Sequence, residues 1–116
     1  MKLKVGMYVR TKNGMIAKII SKEDVSGSLH REEIVFILDN GNRLALHSKK
    51  VIKASHNIID LIQVGDYVNG YKVAYTLETL LGFEDGQDGD WYMSNENIKS
   101  IVTKEQFESM IYKVEN

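Results

Sequence analysis

The chain has 116 residues, 43% of them apolar, which is enough to bury one ordinary core or two very small ones. The absence of cysteine excludes a disulfide framework, a thiolate metal site and a cysteine nucleophile, and the absence of proline leaves glycine to make the turns. A net charge of −1 hides a polarity: residues 1–57 carry eleven Lys and Arg against five Asp and Glu, a balance of +6, whereas residues 58–116 carry four against eleven, a balance of −7. Such polarity suits different partners for the two halves, or head-to-tail contact between molecules.

No apolar run approaches the length needed to cross a bilayer, and "MKLKVGMYVRTK" has no apolar stretch followed by a small-residue cleavage site, so the expected compartment is the cytoplasm. Along the chain the first strand is "VGMYV" (5–9), where alternation puts Val5, Met7 and Val9 on one face. "MIAKIIS" (15–21) reads as a second strand, "KEDVSGSLHRE" as a polar loop and "EIVFILD" (33–39) as a β-branched third strand. "DNGN" (39–42) is a hairpin turn, "RLALH" (43–47) returns, "SKKV" makes one tight turn and "IKAS" (52–55) is a fifth short strand. Five short strands with a single 3₁₀ turn before the last predict an SH3-like barrel over residues 1–55.

"SHNIIDLIQ" (55–63) places Ile58, Ile59, Leu61 and Ile62 where a helical turn would bury them, which predicts a short connecting helix over 56–63, packed between two modules. At 64–68 the motif Val-Gly-x-Tyr-Val of residues 5–9 recurs, and "MSNENIKSI" (93–101) repeats "HSKKVIKAS" (47–55) in the same order. A second SH3-like module over 64–116 follows. Within it "YKVAYTLETLLGF" (71–83) is one long or bent strand, with a short helix as the alternative because Leu77, Leu80 and Leu81 have helical spacing. "FEDGQDGD" turns, "WYMS" (91–94) returns with Trp91 inward and Tyr92 outward, "NEN" turns tightly and "IKSIV" (98–102) closes. In "VTKEQF" Thr103 and Gln106 form a capping box and Val102 and Phe107 a hydrophobic staple, so a helix runs from Lys104 to Met110. "IYKV" (111–114) is its frayed last turn or an edge strand. The predicted fold class is mainly β: two tandem SH3-like small β-barrels with a short connecting helix and a short C-terminal helix.

Residue chemistry narrows the function classes. Glu84, Asp85, Asp88 and Asp90 fall within seven residues, but their spacing fits no EF-hand loop, so no metal or other cofactor is expected. His30, His47 and His56 have no partner at metal-ligand spacing, and no serine stands in a nucleophile motif, so the protein is not expected to be an enzyme. Two surfaces remain. Asp66, Tyr71, Glu84, Asp85, Asp88, Asp90 and Tyr92 give the second module an acidic, aromatic surface suited to a protein partner, since Tyr and Trp anchor interfaces and clustered carboxylates complement a basic groove. Arg10, Lys12, Lys18, Arg43, Lys49 and Lys50 give the first module a basic edge suited to nucleic acid, with Tyr8 the one aromatic placed to stack on a base.

Two segments, "NIIDLIQVGDYVNGYKV" (57–73) and "ENIKSIVTKEQFESMIYKV" (96–114), resemble a group of small proteins encoded by phages and prophages of Firmicutes. The match covers about a third of the chain, nearly all in the second module, and the group carries over no activity or catalytic residue. The resemblance implies a small accessory phage product made in the host cytoplasm. In that setting the expected function is stoichiometric binding to a host defence component, of the anti-CRISPR kind. The alternative is a nucleic-acid-binding or regulatory phage protein acting through the basic first module.

Overall fold

The first Val-Gly-x-Tyr-Val motif leads into strand β1 (Tyr8–Thr11), in which Val9, Arg10 and Thr11 are all buried. The computed structural model describes residues 3–24, 32–37, 43–85 and 89–114 and divides the chain into two units, Met1–Leu61 and Ile62–Asn116. Strands dominate both. The single α-helix among the described residues is seven residues long, and no helix is long and apolar enough to cross a membrane.

In the first unit β1 is followed by β2 (Ile16–Asp24), β3 (Glu32–Ile37), β4 (Arg43–His47) and β5 (Val51–Ser55). They form one antiparallel sheet in the order β4-β3-β2-β1-β5, so the first and last strands are neighbours. The β1–β2 turn is closed by hydrogen bonds from Gly14 N to Thr11 O and from Met15 N to the Thr11 hydroxyl, 3.0 and 3.1 Å. Leu3, Val9, Ala17, Ile19 and Val51 make the core, with Met7 and Ala54 packed against it. Fully burying a side chain such as Ile19 contributes about 1.5–3 kcal/mol. Register shifts between Ile19 and Ser21 on β2, and between Arg10 and Thr11 on β1, bend the sheet where it would otherwise stay flat. A 3₁₀ turn at Ser48–Lys50 precedes β5.

The connector makes a 3₁₀ turn at Ile58–Leu61 that packs on β5 and β1 of this unit. Its local fastening is polar. The Ser55 hydroxyl donates to Asp60 Oδ2 at 2.6 Å and accepts from Asn57 N at 3.1 Å.

The second unit contains β6 (Tyr67–Val68), β7 (Tyr71–Lys72), β8 (Tyr75–Thr76), β9 (Leu80–Asp85), β10 (Gly89–Ser94), a 3₁₀ turn at Asn95–Asn97, β11 (Ile101–Val102) and α1 (Lys104–Met110). They form two three-stranded antiparallel sheets, β10-β9-β8 and β11-β6-β7. Residues 71–83 are neither one strand nor a helix, which corrects the expectation for that segment. The chain leaves one sheet and enters the other at Val73–Ala74: Val73 N donates to Asp66 O at 2.8 Å, whereas Ala74 N donates to Gly82 O at 2.9 Å. It then reverses in a tight turn closed by Leu77 N to Leu80 O, 2.8 Å. Val68, Val73, Leu81, Phe83 and Met93 are buried here.

The two glycines of the repeated motif have the same backbone geometry. Gly6 (φ 94°) donates its N–H to Ile19 O at 2.8 Å, and Gly65 (φ 95°) donates to Val73 O at 3.0 Å. Met7 and Asp66, next in line, accept from Ile19 N and Val73 N, both at 2.8 Å, and donate to Lys4 O and Gln63 O, both at 3.1 Å. A positive φ of this size suits glycine, which explains why the motif keeps it in both copies.

At the C-terminal end the capping box is present: Thr103 N donates to Gln106 Oε1 at 3.1 Å and Gln106 N to Thr103 Oγ1 at 3.3 Å. Phe107 stacks on Tyr67, ring centroids 4.7 Å apart. Ile111–Val114 is neither helix nor strand, and Tyr112 and Val114 are exposed.

Candidate binding surface of the second unit

The β9–β10 hairpin sets the surface. Its register pairs Phe83 with Trp91 and Gly82 with Tyr92, so alternation sends Phe83 and Trp91 to one face and Tyr92 to the other. On the first face Phe83 is buried and Trp91, half-buried, stacks on it at 4.2 Å and 12°. Tyr71, 57% exposed, meets Trp91 edge to face at 5.0 Å. Each such ring pair contributes about 0.5–1.5 kcal/mol beyond area burial, which holds the exposed rings in place.

Asn69, Tyr71, Trp91 and Met93 line an open groove of about 470 Å³. Asn69 fixes one wall. Its backbone lies at φ 53°, and its side chain donates to Asn97 O at 2.8 Å and accepts from Lys99 N and Ser100 N at 2.8 and 3.0 Å. An asparagine tolerates this conformation better than other residues with a Cβ, and the "VNG" sequence is the signal that marks it. Of the four lining residues only Tyr71 stood among the expected site residues. Asn69 and Met93 carry no local mark of a groove, because they stand 24 positions apart and are brought together only by the closing of the unit.

On the opposite face Tyr75 and Tyr92 meet edge to face at 6.2 Å, both opposite Gly82 in register. The Tyr75 hydroxyl donates to Asp90 Oδ2 at 2.9 Å. A hydrogen bond with the Tyr92 side chain, then desolvation, then Asp90 itself push the Tyr75 pKa well above the ordinary phenol value. Asp90 stands opposite Glu84, and both are exposed. At the nearby 3₁₀ turn, a hydrogen bond from Ser94 and one from its own backbone hold the Glu96 carboxyl below the usual range, so it stays ionised.

The expected surface is therefore divided. Tyr71 lies at the groove, while Tyr92, Asp90 and Glu84 lie on the other face of the hairpin. Asp85 ends β9, and Asp88 lies outside the described residues. Asp66, expected on the surface, is fully buried: its carboxylate accepts from Gln63 N at 2.7 Å and from Lys104 N at 2.8 Å, tying the β6 turn to the start of α1. It is a structural cap, since a buried carboxylate with backbone donors on both oxygens has no surface left to offer a partner.

Among the basic candidates Arg10 is corrected in the same way. It is fully buried and donates through Nη1 to Leu61 O at 3.0 Å. Lys12, Lys49 and Lys50 are exposed, and Lys12 N donates to Lys50 O at 3.0 Å, which brings β1 and β5 together at one end. Lys18 stands elsewhere, across from Tyr8, with its ammonium 5.5 Å from the ring centroid. That cation occupies the aromatic expected to stack on bases. Arg43 pairs with Ile37 on β4, the edge strand of the sheet. No group of three or more His, Asp or Glu placed to hold a metal occurs among the described residues.

No family model matches the chain, and neither does any curated protein or solved structure.

Proposed function

We propose that this chain is a phage-encoded, non-enzymatic binding protein that acts in the host cytoplasm by stoichiometric capture of a host defence component of the anti-CRISPR target kind. The observation that carries the reading is the groove of Asn69, Tyr71, Trp91 and Met93: rigidly held, partly exposed aromatic rings are what protein interfaces use as anchors. The phage context comes from the resemblance of residues 57–73 and 96–114, which includes Asn69 and Tyr71 of the groove.

Each unit serves in this reading as an SH3-like barrel. Support comes from the strand order β4-β3-β2-β1-β5, from a 3₁₀ turn shortly before the last strand in both units, and from the matching hydrogen bonds at Gly6 and Gly65.

The test is phage plating on a host with an active CRISPR nuclease and on its isogenic deletion strain. Expression of the protein raises plating only where the nuclease is present, and Tyr71→Ala abolishes that rise while leaving the protein folded. Equal plating with and without the protein across hosts of each nuclease type would overturn the reading. The nucleic-acid alternative keeps one favourable observation, the exposed Lys12, Lys49 and Lys50 at one end of the first sheet. Absence of a mobility shift at low salt removes it, because phosphate contacts are strongest there.

A further inference from the structure

The outer face of β8-β9-β10 carries a second, chemically distinct surface. Gly82 stands at its centre, in register with Tyr75 on one side and Tyr92 on the other. Because Gly82 has no side chain, the two rings meet above it at 73°, and Tyr92 remains 51% exposed. Two residues along the strands, on the same face, Asp90 and Glu84 pair across the hairpin, both exposed, and Asp90 is oriented by the Tyr75 hydroxyl at 2.9 Å.

We propose that this face docks an arginine side chain on the basic surface of a partner protein, the guanidinium plane lying on the open Tyr92 ring and its N–H groups donating to the Asp90 and Glu84 carboxylates. The residue types select the ligand. A ring beside two carboxylates offers a cation–π contact and several hydrogen-bond acceptors on one surface. Guanidinium is planar, weakly hydrated and forked, so it uses both at once, whereas a lysine ammonium is a strongly hydrated point charge that uses one at a time. The balance of −7 over residues 58–116 attracts a cationic partner and repels phosphates, which favours a protein over a nucleic acid. Tyr75 is a positioning residue here, acting through Asp90. The proposal rests on the reading of the second unit as the binding module and names the partner chemistry at its other face.

The experiment is a titration of the isotope-labelled full chain with a hexa-arginine peptide and, separately, a hexa-lysine peptide at about 150 mM salt. The arginine peptide binds at least about fivefold more tightly, with chemical-shift changes centred on Tyr75, Gly82, Asp90 and Tyr92. Tyr92→Ala and Asp90→Asn remove that preference while leaving the lysine affinity within about twofold. Tyr75→Phe, which keeps the ring and loses the anchor on Asp90, lowers the arginine affinity alone. Equal affinity for the two peptides, shifts centred elsewhere, or a Tyr92→Ala protein that keeps the preference would overturn the proposal. If the preference fails while Tyr71→Ala still abolishes protection in the plating assay, the docking of arginine falls and the binding function stands; the reverse pattern removes the function and leaves the surface.

Discussion

The ring of Tyr75 lies so close to Gly82 that a Cβ on residue 82 would stand 2.3 Å from Cε2 and 2.5 Å from Cζ of the tyrosine. This contact joins β8 to β9 on the face that also carries Tyr92. Gly82→Ala must therefore displace the ring, and overpacking of this kind costs about 1–3 kcal/mol. Chemical denaturation measures it, and a double-mutant cycle identifies its cause. With Tyr75→Ala in the background, Gly82→Ala costs far less. An equal cost in both backgrounds would mean that something other than the tyrosine limits the site.

Tyr75 also predicts a pH dependence. Its pKa is raised above the ordinary 10.0, so the folded protein favours the neutral phenol more than the unfolded chain does. The resulting stability is intact below pH 10 and is lost as pH rises beyond it. In an absorbance titration one phenol step lies above the ordinary tyrosine range, and Tyr75→Phe removes that late step. A Tyr75→Phe protein with an unchanged titration curve contradicts the assignment.

Asp66 predicts a different kind of loss. Asp66→Ala leaves two backbone amides, those of Gln63 and Lys104, without their carboxylate acceptor in a buried place, at a cost of about 3 kcal/mol or more. Helix α1 responds first, because Lys104 is its first residue. Amide exchange over 104–110 accelerates more than exchange in β9 and β10, and Asp66→Asn falls between wild type and alanine because one acceptor oxygen remains. Uniform exchange changes across the unit would show that the carboxylate does not act through the helix.

What was legible in the sequence is what short-range chemistry decides. Thr103 and Gln106 stand three apart, and their reciprocal hydrogen bonds follow from that spacing. The repeated Val-Gly-x-Tyr-Val was legible as a repeat but not as a turn: alternation reads it as strand from residue 5, whereas Gly6 and Gly65 turn at positive φ and the strands begin at Tyr8 and Tyr67. Residues 71–83 misled because their break is set by Asp66 and Gly82, which draw the amides of Val73 and Ala74 into different sheets. Burial of the charged candidates was hidden likewise: Arg10 answers to a carbonyl 51 residues away and Asp66 to an amide 38 residues away. A charge on a half-apolar strand reads as surface until its distant partner is known, and the groove at Asn69 and Met93 shares that difficulty.

The matching glycines yield a test of the duplication itself. A Cβ at Gly6 would meet nothing nearer than His56 at 3.9 Å, and one at Gly65 nothing nearer than Lys104 at 3.7 Å, so space is not the obstacle at either position. The backbone is, because φ of 94° and 95° lies where L-residues are strained by about 1–2 kcal/mol. Gly6→Ala and Gly65→Ala should then cost similar amounts, each in that range, as read by denaturant midpoints at unchanged slope. D-alanine introduced by chemical synthesis accepts positive φ and restores most of the stability at both positions. A D-alanine protein as unstable as the L-alanine one at either site would separate the two motifs, since the same φ could no longer be the reason that both keep glycine.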